Sequence, residues 1–187
     1  HHLRDEKKAK LPATAIIQTT QLCGAGVAWL VIKELWKKAN VKNWAEKASE
    51  LLDLVCLATI ADQVPLQGTN RQLARAGLEK LRQTKRPGLI ELIKISALKQ
   101  NNLTTDDVGF GLGPKINAIG RLTNTLEALR LLCTTNQKKA LELAQVLTKV
   151  NGQRQELTGE MIEIALKQIE EKKLAKVILV ASDKFHE

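Results

Sequence analysis

Tyrosine is absent and aromatic residues make up only 3% of the chain, which leaves little material for a platform on which successive nucleobases could stack. Any contact to nucleic acid should therefore run mostly through phosphates. Cysteine is sparse as well: Cys23, Cys56 and Cys133 are odd in number, far apart and each set among apolar residues. That pattern suits reduced core thiols in a cytosolic protein and argues against a disulfide frame or a zinc site. Long apolar runs are missing too. The stretch from Leu51 to Ala61 is interrupted by Asp53 and is too short to span a bilayer, and no secretory signal precedes it. A soluble, cytoplasmic chain with no membrane partner is expected.

What is present is an ordinary apolar content of 44% over 187 residues and a net charge of +9, from 29 lysines and arginines against 20 acidic residues. A surplus of that size points modestly toward polyanions such as nucleic acid. Along the chain, "ATAIIQ" (13–18) is β-prone, and from Gly24 the apolar positions Val27, Leu30, Val31, Leu35 and Ala39 fall at helical spacing. This alternation suggests an α/β front. "AEKASELLDLVCLATIAD" reads as a buried helix ended by Pro65, and "NRQLARAGLEKLRQ", "LIELIKISAL" and "NTLEALRLLCT" read as amphipathic helices. Thr104 or Thr105 offers an N-cap before Asp106 and Asp107. One helical pattern then runs from about Asn136 to Lys173, with Gly152 and Gly159 marking sites for a bend or a close contact, and "KVILVAS" reads as a strand. A helix of that length before a new strand has the character of an interdomain connector. With no initiator methionine, and with the chain stopping just past that strand, a piece of a longer protein is expected.

The segment "GFGLGPKINAIGRL" (109–122) gathers glycines, a proline and cations, the composition of a phosphate cradle. The known frames do not fit. Lys115 lies between Gly113 and Gly120, and Gly120 is followed by Arg121, so no P-loop is present; after Gly111 and Gly113 the third glycine of a dinucleotide frame is replaced by Ile116. Taken locally, a tight turn joining two helices is the simpler account. Asp62, at the end of an apolar run in "LATIADQVPL", is placed where α/β folds hold ligands, but a helix-end aspartate before proline is the plainer account. His1 and His2 could bring imidazole to a metal, but taken alone the remnant of a purification tag is the plainer account.

The segments "HHLRDEKKAKLP", "GAGVAWLVIKEL", "LLDLVCLATIADQVPLQGTNRQLARAGLEKLRQTKRPGL", "GFGLGPKINAIGRL" and "VNGQRQE" resemble, in order and spacing, the RecJ single-stranded-DNA exonucleases of the DHH phosphoesterase superfamily. The resemblance covers essentially the whole chain. It implies an α/β fold: the C-terminal part of a DHH phosphoesterase domain over 1–134, mostly helical, then a long connector helix over 135–173. The first strand of a second, nucleic-acid-binding α/β domain would begin at 174–187. It implies that His1 and Asp62 are metal ligands, that His2 lies near the scissile phosphate, and that His2 and Asp62 take part in catalysis. Asn117 and Arg121 would line the cleft through which the DNA backbone passes. Lys115 stands where the family more often has arginine and would keep the charge without the bidentate fork. Arg154 and Gln155 would face the same cleft from the connector.

The activity so implied is 5′-to-3′ hydrolysis of single-stranded DNA in repair and recombination, with two manganese or magnesium ions about 3.5–4 Å apart and a helicase or single-strand-binding protein as the kind of partner. The earlier carboxylate motifs of that metal site are not in this sequence, so the chain alone is expected neither to hold two metals nor to cleave DNA. Two other readings compete: a DHH-family phosphoesterase acting on short oligonucleotides or cyclic dinucleotides, and a non-catalytic basic module that binds nucleic acid or a protein.

Overall fold

In the computed structural model, which describes residues 14–122, 125–170 and 177–185 (residues 121 and 122 by backbone alone), the apolar run becomes a central helix, α3 (Leu52–Ala61). It is preceded by α1 (Gly24–Lys38) and α2 (Trp44–Glu50) and followed by α4 (Gly68–Arg82) and α5 (Pro87–Ile95). A 3₁₀ turn at Gln100–Asn102 and a π-helical turn at Asp107–Leu112 lead into α6 (Gly113–Leu122), α7 (Leu126–Cys133) and α8 (Gln137–Glu170). Because α3 is apolar on nearly every face, it must be covered on every face. It packs against α1, α2, α4, α6 and the π turn.

Local chemistry accounts for the boundaries. The Cys23 thiol caps α1 by accepting from Gly26 N–H at 3.4 Å, and it touches Thr59 Oγ1 on α3 at 3.4 Å. Trp29 Nε1–H donates to the Ala48 carbonyl at 2.7 Å and fastens α1 to α2. The helix expected to run through "AEKASELLDLVCLATIAD" breaks at Leu51 into α2 and α3. Pro87 occupies the first turn of α5, where its missing N–H costs nothing. Thr104 is the cap of the turn before α6: its N–H and hydroxyl donate to Asp107 Oδ2 at 2.8 and 2.9 Å, and its Oγ1 accepts from Asp107 N–H at 3.2 Å. This reciprocal pair is a capping box with aspartate in the acidic place.

The main core gathers Leu81, Leu89, Leu92, Leu103, Leu112, Ile119, Leu131, Leu143 and Leu147. On α8 the buried positions are Ala140, Leu143, Ala144, Leu147, Val150 and Asn151, at the spacing of one helix face. Beyond Asn151 no described residue of α8 is buried, and nothing lies within 4 Å of a Cβ built at Gly152 or Gly159. The close contact expected at those glycines is therefore not found among the described residues.

Neither expected strand forms. Residues 14–18 are irregular, with Ile16 and Ile17 exposed, and 177–182 are irregular too. A strand exists only through its ladder, and no described segment offers either one an edge. The second instead bonds to a side chain: Gln168 Nε2–H donates to the Ala181 carbonyl at 2.9 Å and Ala181 N–H donates back to Gln168 Oε1 at 3.4 Å. The regular structure of the described residues is thus helical throughout, and the α/β character expected at the two ends is absent from them. No helix among them is long and apolar enough to cross a membrane.

The cysteines separate in a way their apolar surroundings did not announce. Cys23 and Cys56 are fully buried, whereas Cys133, at the end of α7, is exposed. Burial, reinforced by the nearby Asp53 charge, pushes the Cys56 thiol up to about 12. Because the thiolate is the reactive form, a thiol-specific disulfide reagent is expected to titrate one cysteine in the native chain and all three in denaturant. Loss of the fast phase in Cys133→Ser would identify it, and a second fast thiol would contradict the burial described here.

Candidate nucleic-acid interface

The glycine-rich segment is neither a phosphate cradle nor a turn between helices. Thr105 to Leu122 winds continuously, first as α-helix, then through the π turn, then as α6. Gly113 N–H bonds to the Val108 carbonyl, a step of five residues instead of four. Pro114 has no N–H to give, so one carbonyl in the preceding turn must go without its helical donor. Single π turns inside α-helices recur at functional sites because they present groups that a regular helix would satisfy internally.

Glycine at 113 sits in a tight place. A Cβ there would stand 3.1 Å from Ala61 Cβ and 3.1 Å from the Val108 carbonyl oxygen. The absence of a side chain lets the π turn settle onto the C-terminal end of α3, beside Asp62. Where the two meet, a pocket of about 150 Å³ opens, lined by Ala61, Gln63, Gly113, Pro114, Asn117 and Arg154, among others. Asn117 comes from α6 and Arg154 from α8, while Gln63, held at φ 54°, comes from the turn after α3.

Arg154 is held by Asn151, whose Oδ1 accepts from its Nε and Nη2 at 3.4 and 3.3 Å, and Asn151 is itself buried. No described carboxylate forms an ion pair with Arg154, and none lines the pocket. A guanidinium that forms no ion pair with a described carboxylate and the side-chain amides of Gln63 and Asn117 make a polar lining, with the exposed Asp62 next to it in the chain. It suits an anion carrying oxygen acceptors, and it lacks the carboxylates that a cation would need.

No family model matches the chain. It is 37% identical over 162 residues to the single-stranded-DNA-specific exonuclease RecJ of Bacillus subtilis (strain 168), covering 87% of this chain and 20% of that protein. It is 36% identical over 148 residues to the protein of the same name from Escherichia coli (strain K12), covering 75% of this chain and 26% of that protein. The fold superposes on the crystal structure of RecJ in complex with Mn2+ from Thermus thermophilus with a TM-score of 0.70 at 34% identity, over 78% of this chain and 21% of that one. A crystal structure of exonuclease RecJ bound to manganese gives 0.71 at 32% identity, over 84% of this chain and 39% of that one. Over most of its length this chain is a RecJ-family sequence.

As a RecJ segment it spans between about a fifth and a quarter of these two relatives, and the residues marked from the sequence fall unevenly on it. Asn117 and Arg154 meet in the pocket; Gln155 is exposed on α8 and does not line it. Asp62 caps α3, is exposed, and lies between the pocket residues Ala61 and Gln63; its carboxylate makes no hydrogen bond or ion pair with a described residue. Lys115 turns away from the pocket lining: its Nζ donates to the Gly111 carbonyl at 2.8 Å, and partial burial pushes the ammonium below the ordinary lysine range. His1, His2 and the side chain of Arg121 lie outside the described residues. No group of three or more His, Cys, Asp or Glu side chains able to hold a metal occurs among the described residues. Sequence reasoning missed Gln63, although its place beside Asp62 at the end of an apolar run was a usable signal.

Proposed function

We propose that this chain is part of a metal-dependent exonuclease acting on single-stranded DNA, and that the pocket between Asn117, Gln63 and Arg154 receives the phosphate backbone of the strand. The observation that carries this reading is the Arg154 guanidinium, fixed by a buried asparagine in a pocket that no described carboxylate lines, directly beside the exposed Asp62. The names of the RecJ relatives and the Mn2+ and Mg2+ in their crystal structures support the same substrate and cofactor.

In this reading Asp62 and His1 hold a divalent ion, with His2 near the scissile phosphate. The Asp62 oxygens have no partner among the described residues, and carboxylate with imidazole suits manganese or magnesium. When bound, such ions supply an activated water and neutralise phosphoryl oxygens. Arg154 and Asn117 hold the strand in register by contacting phosphate, a contact that carries no base information. Lys115 assists as a nearby charge, and a phosphate approaching it would raise the depressed ammonium back toward its usual range. Residues 1–134 then belong to a DHH phosphoesterase domain, α8 is the connector helix, and the segment from 174 opens a second α/β domain.

The 187-residue chain is expected to bind single-stranded DNA, measured by fluorescence anisotropy of a labelled oligonucleotide, with affinity that falls as salt rises. Arg154→Ala should weaken binding roughly tenfold on every sequence and lower the salt slope by about one phosphate contact, and Asn117→Ala should weaken it by less. Manganese should not confer cleavage on this chain, because Asp62 and the two histidines are an incomplete ligand set. An Arg154→Ala variant that binds as the parent does, with the same salt slope, would remove the pocket from the reading, and robust manganese-dependent digestion would show that the ligand set is sufficient.

A further inference from the structure

Phe110 is 82% exposed. Its neighbours in the same π turn, Val108 and Leu112, are fully buried. The sequence holds three tryptophans and two phenylalanines; Trp29, Trp36, Trp44 and Phe185 are partly buried, and Phe110 is the one largely exposed aromatic. A single exposed apolar side chain is ordinary on a protein surface; what sets Phe110 apart is that it is the aromatic side chain most open to solvent and sits in the π turn beside the pocket.

Its position supplies one. Phe110 follows Gly109, which lines the pocket, and precedes Pro114, also in the lining, by one helical turn. Gly109 and Gly111 flank it, so no neighbouring side chain in sequence shields either face of the ring. Lys115 and Arg154 place positive charge close by. A strand whose phosphates lie in the pocket must project its bases outward, since bases and phosphates diverge from the sugar. Phe110 is not in the lining, but it is exposed on the turn between the lining residues Gly109 and Gly113, within reach of bases so projected.

We infer that Phe110 stacks on one nucleobase of a single strand whose backbone occupies the Asn117–Arg154 pocket, and so sets where along the strand that pocket engages. The inference rests on the pocket's being a backbone site, as proposed above. It is compatible with the low aromatic content: that content rules against a platform of several rings, whereas one ring serves one base. Stacking of this kind tolerates any base because every base has a π face.

The test uses the 187-residue chain and a single-stranded oligonucleotide carrying 2-aminopurine, whose fluorescence is quenched on stacking. Phe110→Ala is expected to abolish the quenching and to weaken binding about tenfold, within the range for loss of one base–aromatic stack. Phe110→Leu, which keeps an apolar side chain without a π face, should behave like alanine, and Phe110→Trp should restore both signals. An oligonucleotide made abasic throughout should bind the parent and Phe110→Ala equally. Thermal melts should coincide, since little of the ring is buried.

If Arg154→Ala weakens binding while Phe110→Ala changes neither affinity nor quenching, the stacking role is overturned and the backbone site stands. If neither variant changes binding, the backbone site itself has failed. If Phe110→Leu retains full affinity, the position serves a generic apolar contact and stacking is excluded.

Discussion

Alanine at position 88 is expected to cost about 3 kcal/mol or more of folding stability, at or above the top of the usual range for overpacking a core. A Cβ at Gly88 would lie 1.8 Å from the Leu131 carbonyl oxygen and 2.7 Å from its carbonyl carbon. Neither atom can turn aside, because both belong to the backbone of α7 and the added atom has no rotamer. Relief requires α5 to move off α7. That movement would open the layer formed by Leu89, Leu92 and Leu131, each fully buried, and would disturb the packing of α5 on α8. Since a domain of this size holds only about 5–15 kcal/mol in reserve, Gly88→Ala should lower the urea midpoint followed by far-ultraviolet circular dichroism by a large fraction of its parental value. A stability within about 0.5 kcal/mol of the parent, the range of ordinary surface substitutions, would mean that α5 and α7 do not approach as described.

Arg86→Ala is expected to cost about 3–5 kcal/mol, the scale for stranding a buried charge. Asp53, 3% exposed within the apolar α3, accepts at Oδ2 from Arg86 Nε and from Thr84 Oγ1, both at 2.9 Å, and at Oδ1 from Leu54 N–H at 2.7 Å. Thr84 Oγ1 in turn accepts from Arg86 N–H at 3.3 Å, so the α4–α5 connection is fastened to α3 through one carboxylate. Without the guanidinium the carboxylate stays buried with neutral donors only.

Asp53→Asn is expected to cost less, about 1–2 kcal/mol, because the charge it strands sits on Arg86, whose side chain is 29% exposed and can return to water. The ordering carries a further consequence: the double variant Asp53→Asn with Arg86→Ala should be more stable than Arg86→Ala alone, since no charge is left buried. Chemical denaturation of the three variants decides it. A double variant whose loss equals the sum of the two single losses would show that Asp53 and Arg86 are not coupled in the folded state.

These two sites show how unevenly the molecule could be read in advance. Arg86-Pro87-Gly88 reads from the sequence as a turn, whereas in the fold Arg86 caps α5 and Pro87 and Gly88 are its first helical residues. Nothing local says that its arginine neutralises an aspartate in the preceding apolar helix, or that its glycine lies against the backbone of α7. Asp53 reads as an interruption that disqualifies a membrane span, and the same charge proves to anchor a loop. For the candidate site, the resemblance marked Asn117, Arg121 and Arg154 together with Asp62. Gln63 and Phe110 escaped notice because neither residue type carries chemistry by itself, and their relevance comes from exposure and neighbours.

What the sequence determined by itself is what short-range physics controls. Helical spacing set the cores of α4, α5, α7 and α8. A threonine with an acid three residues later set the start of the helix that becomes the π turn, and an apolar run with hardly a polar face required α3 to be surrounded. Its ordered motifs were enough to mark a RecJ segment.

Tertiary structure decided the rest. It assigned the glycines of 109–122 to close packing and a widened turn instead of a phosphate cradle, left both β-prone segments without a ladder, and separated exposed Cys133 from its buried counterparts. It also brought Gln63, Asn117 and Arg154 around one pocket from three distant parts of the chain. The reason is common to all of these outcomes. Helix propensity and capping are settled within a few residues of each position, whereas strand pairing, close backbone approach and the convergence of a site depend on which distant surface arrives opposite, and only the assembled fold fixes that.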